Sequence, residues 1–122
     1  MYDLVNDALS LKLCAKLYEA GIPVASVCHG PAGLAKVKLS NGTFMIDGLK
    51  VTGFTNEEEK AVGLEEIVPF LLEDLLIKNG GKYEKTADWA PFVVVDGNLI
   101  TGQNPASAKG VGKALDKMVS AA

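Results

Sequence analysis

Residues 3–20 place Leu4, Val5, Ala8, Leu9, Leu11, Ala15, Leu17 and Tyr18 close to helical spacing, which predicts an amphipathic helix. Gly21 is a suitable stop, and Ile22-Pro23 leads away from it. The pattern then changes. Val24-Ala25-Ser26-Val27 is short, nearly all apolar and bounded by turn residues, as expected of a parallel strand buried on both faces. Residues 31–37 predict a second helix, with Pro31 in the first turn, where a missing N–H costs nothing.

Asn41-Gly42 and Asp47-Gly48 are turn signals, and residues 49–54 predict a strand. Asn56 is placed to cap a helix opening with Glu57, Glu58 and Glu59, where the helix dipole favours negative charge. Pro69 opens a stronger helix with Phe70, Leu71, Leu72, Leu75, Leu76 and Ile77 as its apolar face, closed by Gly80-Gly81. Residues 83–86 predict a short strand. Residues 92–95 and 99–101 flank Asp96-Gly97-Asn98, a hairpin signal. A final helix from Asn104 or Pro105 turns Ala108, Val111, Leu115, Met118 and Val119 inward.

Alternating strands and helices imply an α/β layered fold with a mainly parallel sheet. The pattern offers only three or four strands, fewer than an open α/β sheet usually carries. It reads as the second half of a larger doubly wound domain. At 122 residues the chain is expected to be a single domain, 1–122, incomplete at its N-terminus.

Composition narrows the function classes. A net charge of −3 argues against nucleic acid as a partner. No window approaches the ~18 uninterrupted apolar residues of a membrane span, and no secretory leader is evident. The expectation is a cytoplasmic protein with no membrane contact. Cys14 and Cys28 do not make a disulfide framework; Cys14, in a helical pattern, reads as a small buried hydrophobe. One histidine and two distant cysteines give no metal-ligand spacing, so no metal is expected.

The chemistry concentrates at Val27-Cys28-His29-Gly30-Pro31. An apolar strand stops at a thiol, which then sits on a sharp strand-to-helix turn facing the helix N-terminus. The dipole there favours thiolate and lowers the thiol pKa. The N–H groups of His29 and Gly30 are free at a helix start and could donate to an oxyanion. This is a cysteine version of the nucleophile elbow. His29 is the only candidate base in the chain, and Glu57, Glu58 and Glu59 follow a strand end, where α/β folds build their sites. Spacing does not choose among the three acids. Each motif also has an ordinary reading: a cysteine after a strand as core, the acidic run as a solvated helix start. Gln103-Asn104-Pro105 reads as a helix cap, and Trp89 as a packing anchor.

Several segments together carry a family resemblance: Ser26-Val27-Cys28-His29-Gly30-Pro31-Ala32, then Gly48–Phe54 running into Thr55-Asn56-Glu57-Glu58-Glu59, then Val68-Pro69-Phe70-Leu71-Leu72-Glu73, and Asp96-Gly97-Asn98-Leu99-Ile100-Thr101-Gly102-Gln103-Asn104-Pro105. The chain resembles the ThiJ/PfpI superfamily, with its class I glutamine-amidotransferase-like, flavodoxin-like sandwich. Within it the chain is most similar to the glyoxalase III, D-lactate dehydratase or Hsp31-like stress-protein branch.

The resemblance implies Cys28 as nucleophile, His29 as its partner and Glu59 as the acid of the triad, with Glu58 the fallback. It implies attack on methylglyoxal or a similar 2-oxoaldehyde to give a 2-hydroxy acid such as D-lactate, without glutathione, metal or nucleotide, with a homodimer as a candidate assembly. It further implies about a hundred residues ahead of Met1, by the usual domain size. Those residues would supply the first strands, an acidic residue bonded to the cysteine and a glycine-rich oxyanion loop. Alternative functions are a stress chaperone or protein deglycase, a cysteine amidase or peptidase, and an inactive truncated product.

Overall fold

The computed structural model describes residues 3–120. Its elements are α1 (Ala8–Glu19), β1 (Val24–Val27), β2 (Lys50–Val51), α2 (Asn56–Ala61), α3 (Leu72–Lys78), β3 (Lys82–Tyr83), β4 (Val93–Asp96), β5 (Leu99–Gly102) and α4 (Ala108–Ser120). Short 3₁₀ turns occupy Leu4–Asn6, Gly30–Gly33 and Pro105–Ser107. The result is an α/β layered fold. β1 and β5 run parallel, with Val24 opposite Leu99 and Val27 opposite Gly102, while β4 closes antiparallel on β5. β2 and β3 form a second, two-stranded parallel pair.

The β4–β5 hairpin forms where the turn signal predicts it. Gly97 sits at φ +60°, a left-handed conformation that costs glycine little. The Asn98 side chain donates to the carbonyls of Tyr18 and Ile22, tying the hairpin tip to the end of α1. Asp96 accepts from the Lys50 N–H and so anchors β2 beside β4.

Strand alternation divides the two faces of β5. Leu99 joins the main core with Val5, Ala35, Val37, Met45, Ile46, Val51, Leu72 and Leu76. Gly102 faces α4 on the other side. A Cβ there would meet Val111 at 2.7 Å, Val27 at 2.9 Å and Ser107 at 3.0 Å, so only glycine lets α4 pack this closely.

Five expectations from the residue pattern are corrected. Residues 31–37 do not form a helix: the single 3₁₀ turn Gly30–Gly33 gives way to an irregular path that buries Leu34, Ala35 and Val37 completely enough to act as core. Tertiary burial overrides helical propensity here. The strand expected over 49–54 shrinks to Lys50–Val51, because the backbone beyond it turns to hydrogen bond with Cys28 and Thr101. The cap of α2 is Thr55, not Asn56. The helix expected from Pro69 begins at Leu72, and Pro69 lies in the preceding bend. Finally, β1 is only half-buried, and its second edge has no partner among the described residues.

The outer helices are also less covered than their periodicity predicts. Leu9 is 76% exposed, and Leu4, Ile77 and Val119 are exposed as well. Among the described residues, no helix is long and apolar enough to cross a membrane.

Candidate active site

Cys28 follows β1 directly, at the point where the strand pairing ends. Its N–H donates to the Gly102 carbonyl at 2.9 Å, and its carbonyl accepts from the Phe54 N–H at 2.8 Å. Between those two anchors the backbone is forced to φ +64°, a left-handed conformation rare for a residue with a side chain. Such local strain persists only where the surroundings over-determine it. The sharp turn expected at this cysteine is therefore present.

His29 reaches in two directions. Its Nδ1 lies 3.7 Å from Cys28 Sγ, and its Nε2 lies 2.7 Å from Glu59 Oε2. Glu59 comes from α2 and is 1% exposed, while the imidazole is 31% exposed. The second oxygen of Glu59, Oε1, is buried and accepts no hydrogen bond among the described residues. Phe54 lies against the imidazole, with ring centroids 4.3 Å apart, and the indole of Trp89 meets Phe54 edge-on at 5.6 Å.

Glu58 and Glu59 are thereby told apart. Glu58 does not touch His29. Its Oε1 accepts from the Thr55 N–H, while Thr55 Oγ1 accepts from the Glu58 N–H, closing a reciprocal capping box. Its Oε2 accepts from the Trp89 N–H and from Asn104 Nδ2, both at 2.8 Å. Burial pushes this carboxyl up. The donors on Trp89, Asn104, Thr55 and Gln103 outweigh burial and hold it below its ordinary value. Glu57, the third acid of the run, is exposed near Lys85.

The thiol behaves differently from the expectation of a dipole-lowered pKa. Burial raises the Cys28 pKa; the His29 amide opposes it, and the charges of Glu58 and Glu59 add to the rise. The reason is structural. The element after Cys28 is a four-residue 3₁₀ turn rather than an α-helix, so few peptide dipoles are aligned behind the thiol. A thiol of this kind needs its proton removed as it attacks, which is the chemistry a neighbouring imidazole provides.

Among the described residues, no cluster of three His, Cys, Asp or Glu side chains is placed to hold a metal. Phe54, the end of the expected strand, packs on His29, and Trp89, the expected packing anchor, packs on Phe54. One signal was available for the acids. Thr55-Asn56-Glu57-Glu58 is the Thr-x-x-Glu spacing of a capping box, which assigns Glu58 to the helix start and leaves Glu59 free.

Residues 2–117 match the DJ-1/PfpI family. The chain is 38% identical over 104 residues to a glutathione-independent glyoxalase, HSP31, of Saccharomyces cerevisiae, covering 79% of this chain and 43% of that protein. Among solved structures, the Rapid Encystment Protein 24 KDa of Francisella tularensis is 40% identical with a TM-score of 0.93, covering 95% of this chain and 52% of the other. Glyoxalase III of Candida albicans is 31% identical with a TM-score of 0.88, covering 95% and 51%. The chain thus spans about half the length of the curated relatives it matches.

Proposed function

The chain belongs to the DJ-1/PfpI family, and from that premise we propose that Cys28, His29 and Glu59 carry a glutathione-independent glyoxalase reaction. The observation that supports it is the placement of one imidazole between a thiol at 3.7 Å and a buried carboxylate at 2.7 Å. In the relatives named as glyoxalases the same family fold accompanies that activity.

The reaction is written for methylglyoxal. His29 Nδ1 takes the thiol proton as Cys28 Sγ bonds to the aldehyde carbon, and the carbonyl oxygen then receives that proton. The product is a hemithioacetal. Backbone N–H groups of His29 and Gly30 are the donors proposed to stabilise the developing alkoxide. Loss of the proton on the former aldehyde carbon and its return to the neighbouring carbon convert the hemithioacetal into a lactoyl thioester. Water then cleaves the carbon–sulfur bond, releasing D-lactate and restoring the thiol. The overall change is addition of one water to the 2-oxoaldehyde, so no external oxidant or reductant takes part. Glu59 holds the imidazole and balances the charge that it gains.

The test is D-lactate formation from methylglyoxal without glutathione, in the parent and in Cys28→Ala. Loss of product in the variant supports the reading, and undiminished product overturns it.

A second reading rests on a different observation. Leu9 and Leu13 on α1 are exposed apolar side chains, as a client-binding chaperone requires. Suppression of client aggregation that survives Cys28→Ala favours this reading; no suppression in either protein removes it.

A further inference from the structure

Four fully buried polar side chains, none of them in the Cys28–His29–Glu59 arrangement, converge on the loop 86–92. Gln103 Oε1 accepts from the Thr86 N–H at 2.8 Å, and Glu58 Oε2 accepts from the Trp89 N–H at 2.8 Å. Asn104 Nδ2 donates to the Ala90 carbonyl at 2.7 Å, and Ser107 Oγ accepts from the Phe92 N–H at 3.0 Å. Burying polar groups is unfavourable unless each finds a partner, and here each of the four finds one on the backbone of the same loop.

What the loop carries is Trp89, 43% exposed and held at φ +64°. Among the described residues, Cys28 and Trp89 are the two non-glycine positions with positive φ. Both adjoin Phe54: Cys28 through its carbonyl, Trp89 through its ring. A nearly half-exposed indole adds little to a core, so core packing does not account for a strained turn fastened by four buried groups. Its contact with Phe54, and the contact of Phe54 with the imidazole, supply another account.

We propose that Glu58 and Trp89 are positioning residues for His29. Glu58 fixes the turn at Trp89, the indole backs Phe54, and Phe54 holds the imidazole plane with Nδ1 toward Cys28 and Nε2 toward Glu59. This rests on the reading of Cys28 and His29 as the reactive pair. It does not require that methylglyoxal be the substrate.

The chain has one histidine and one tryptophan, so each end of the stack can be followed by itself. The rate of Cys28 alkylation by iodoacetamide is measured against pH, with peptide mapping to separate it from Cys14, and the His29 ring resonance is followed by NMR. Trp89→Ala is expected to move the resonance, displace the midpoint of the pH–rate profile and slow Cys28 by roughly threefold to tenfold, because ångström-scale misplacement of a reacting group is costly. Trp89→Phe is expected to restore all three. Glu58→Gln is expected to move the same resonance and shift the Trp89 emission maximum. If Trp89→Ala unfolds, seen as Cys14 reacting at its denatured rate, Trp89→Leu is read in its place. A Trp89 variant with the parent's resonance and midpoint overturns the positioning alone, provided that His29→Ala alters the Cys28 profile. A His29→Ala variant with an unchanged profile overturns the reactive pair and the positioning with it.

Discussion

His29 Nε2 lies 2.7 Å from Oε2 of Glu59, a carboxylate almost wholly shielded from water. A carboxylate oxygen accepts, so Nε2 carries the hydrogen and Nδ1 turns its lone pair to the Cys28 thiol. One contact thus selects both the tautomer and the orientation of the ring.

Replacing Glu59 with Gln is expected to cost far more activity than stability. The amide can present its NH₂ to Nε2 and favour the opposite tautomer, with the hydrogen on Nδ1 facing the thiol. Turnover of methylglyoxal is expected to fall by roughly 10²–10⁴-fold, by analogy with loss of the orienting acid in a hydrolase triad. Kinetics, with circular dichroism to verify the fold, measure it. Parent-like turnover removes Glu59 from the proposed triad.

The Cys28 thiol is raised by burial and by nearby negative charge, and this sets the sign of a pH experiment. Its alkylation rate is expected to keep rising with pH beyond the point where a free thiol has levelled off. Glu58→Gln removes one of the charges that raise the thiol, so that variant is expected to level off at lower pH than the parent. Stopped-flow alkylation of Cys28 gives both curves; a parent midpoint below that of a free thiol contradicts the burial argument.

Glu58 has a depressed folded-state pKa, so its contribution to stability is present above the unfolded carboxyl value and is lost as pH falls through the folded value. Glu58→Gln at neutral pH leaves either the Thr55 N–H or the Trp89 and Asn104 donors facing an NH₂ group. A loss of about 1–3 kcal/mol is expected there, the usual cost of leaving a buried polar group unsatisfied. Urea unfolding is the measurement, and the gap between parent and variant is expected to narrow in acid. A gap that stays constant through the acid range contradicts the linkage.

Gly102→Val tests the packing of α4. The added side chain meets Val27, Ser107 and Val111 within 3.0 Å, and overpacking of this kind costs about 1–3 kcal/mol. A lowered urea midpoint, with α4 retained by circular dichroism, is the expected result; an unchanged midpoint would show that α4 packs elsewhere.

Local chemistry made some parts of this molecule legible. Asp96-Gly97-Asn98 specifies its hairpin because the turn depends on residues next to each other. The turn at Cys28 is likewise announced by a strand ending against Gly30-Pro31. What was hidden depends on distant partners. The path of 31–37 is set by burial against Val5 and Met45 and not by its own helical pattern. The direction of the Cys28 pKa shift follows from burial, which no spacing reveals. Gln103 and Asn104 look like an ordinary helix start, yet their side chains reach back to residues 86 and 90. Nothing within their own segment signals that reach.

Glu58 and Glu59 are neighbours on α2, and adjacent positions on a helix diverge by about 100°. One therefore fastens the Trp89 loop while the other meets the imidazole. This makes the spacing from Thr55 to Glu59 a ruler. Deleting Asn56 would bring Glu59 to the loop-fastening position, where a carboxylate can still accept from the Trp89 amide, and would turn Lys60 toward His29. A single change of length would thus strip the imidazole of its carboxylate while the loop keeps an acceptor, even with every acidic residue still in the chain.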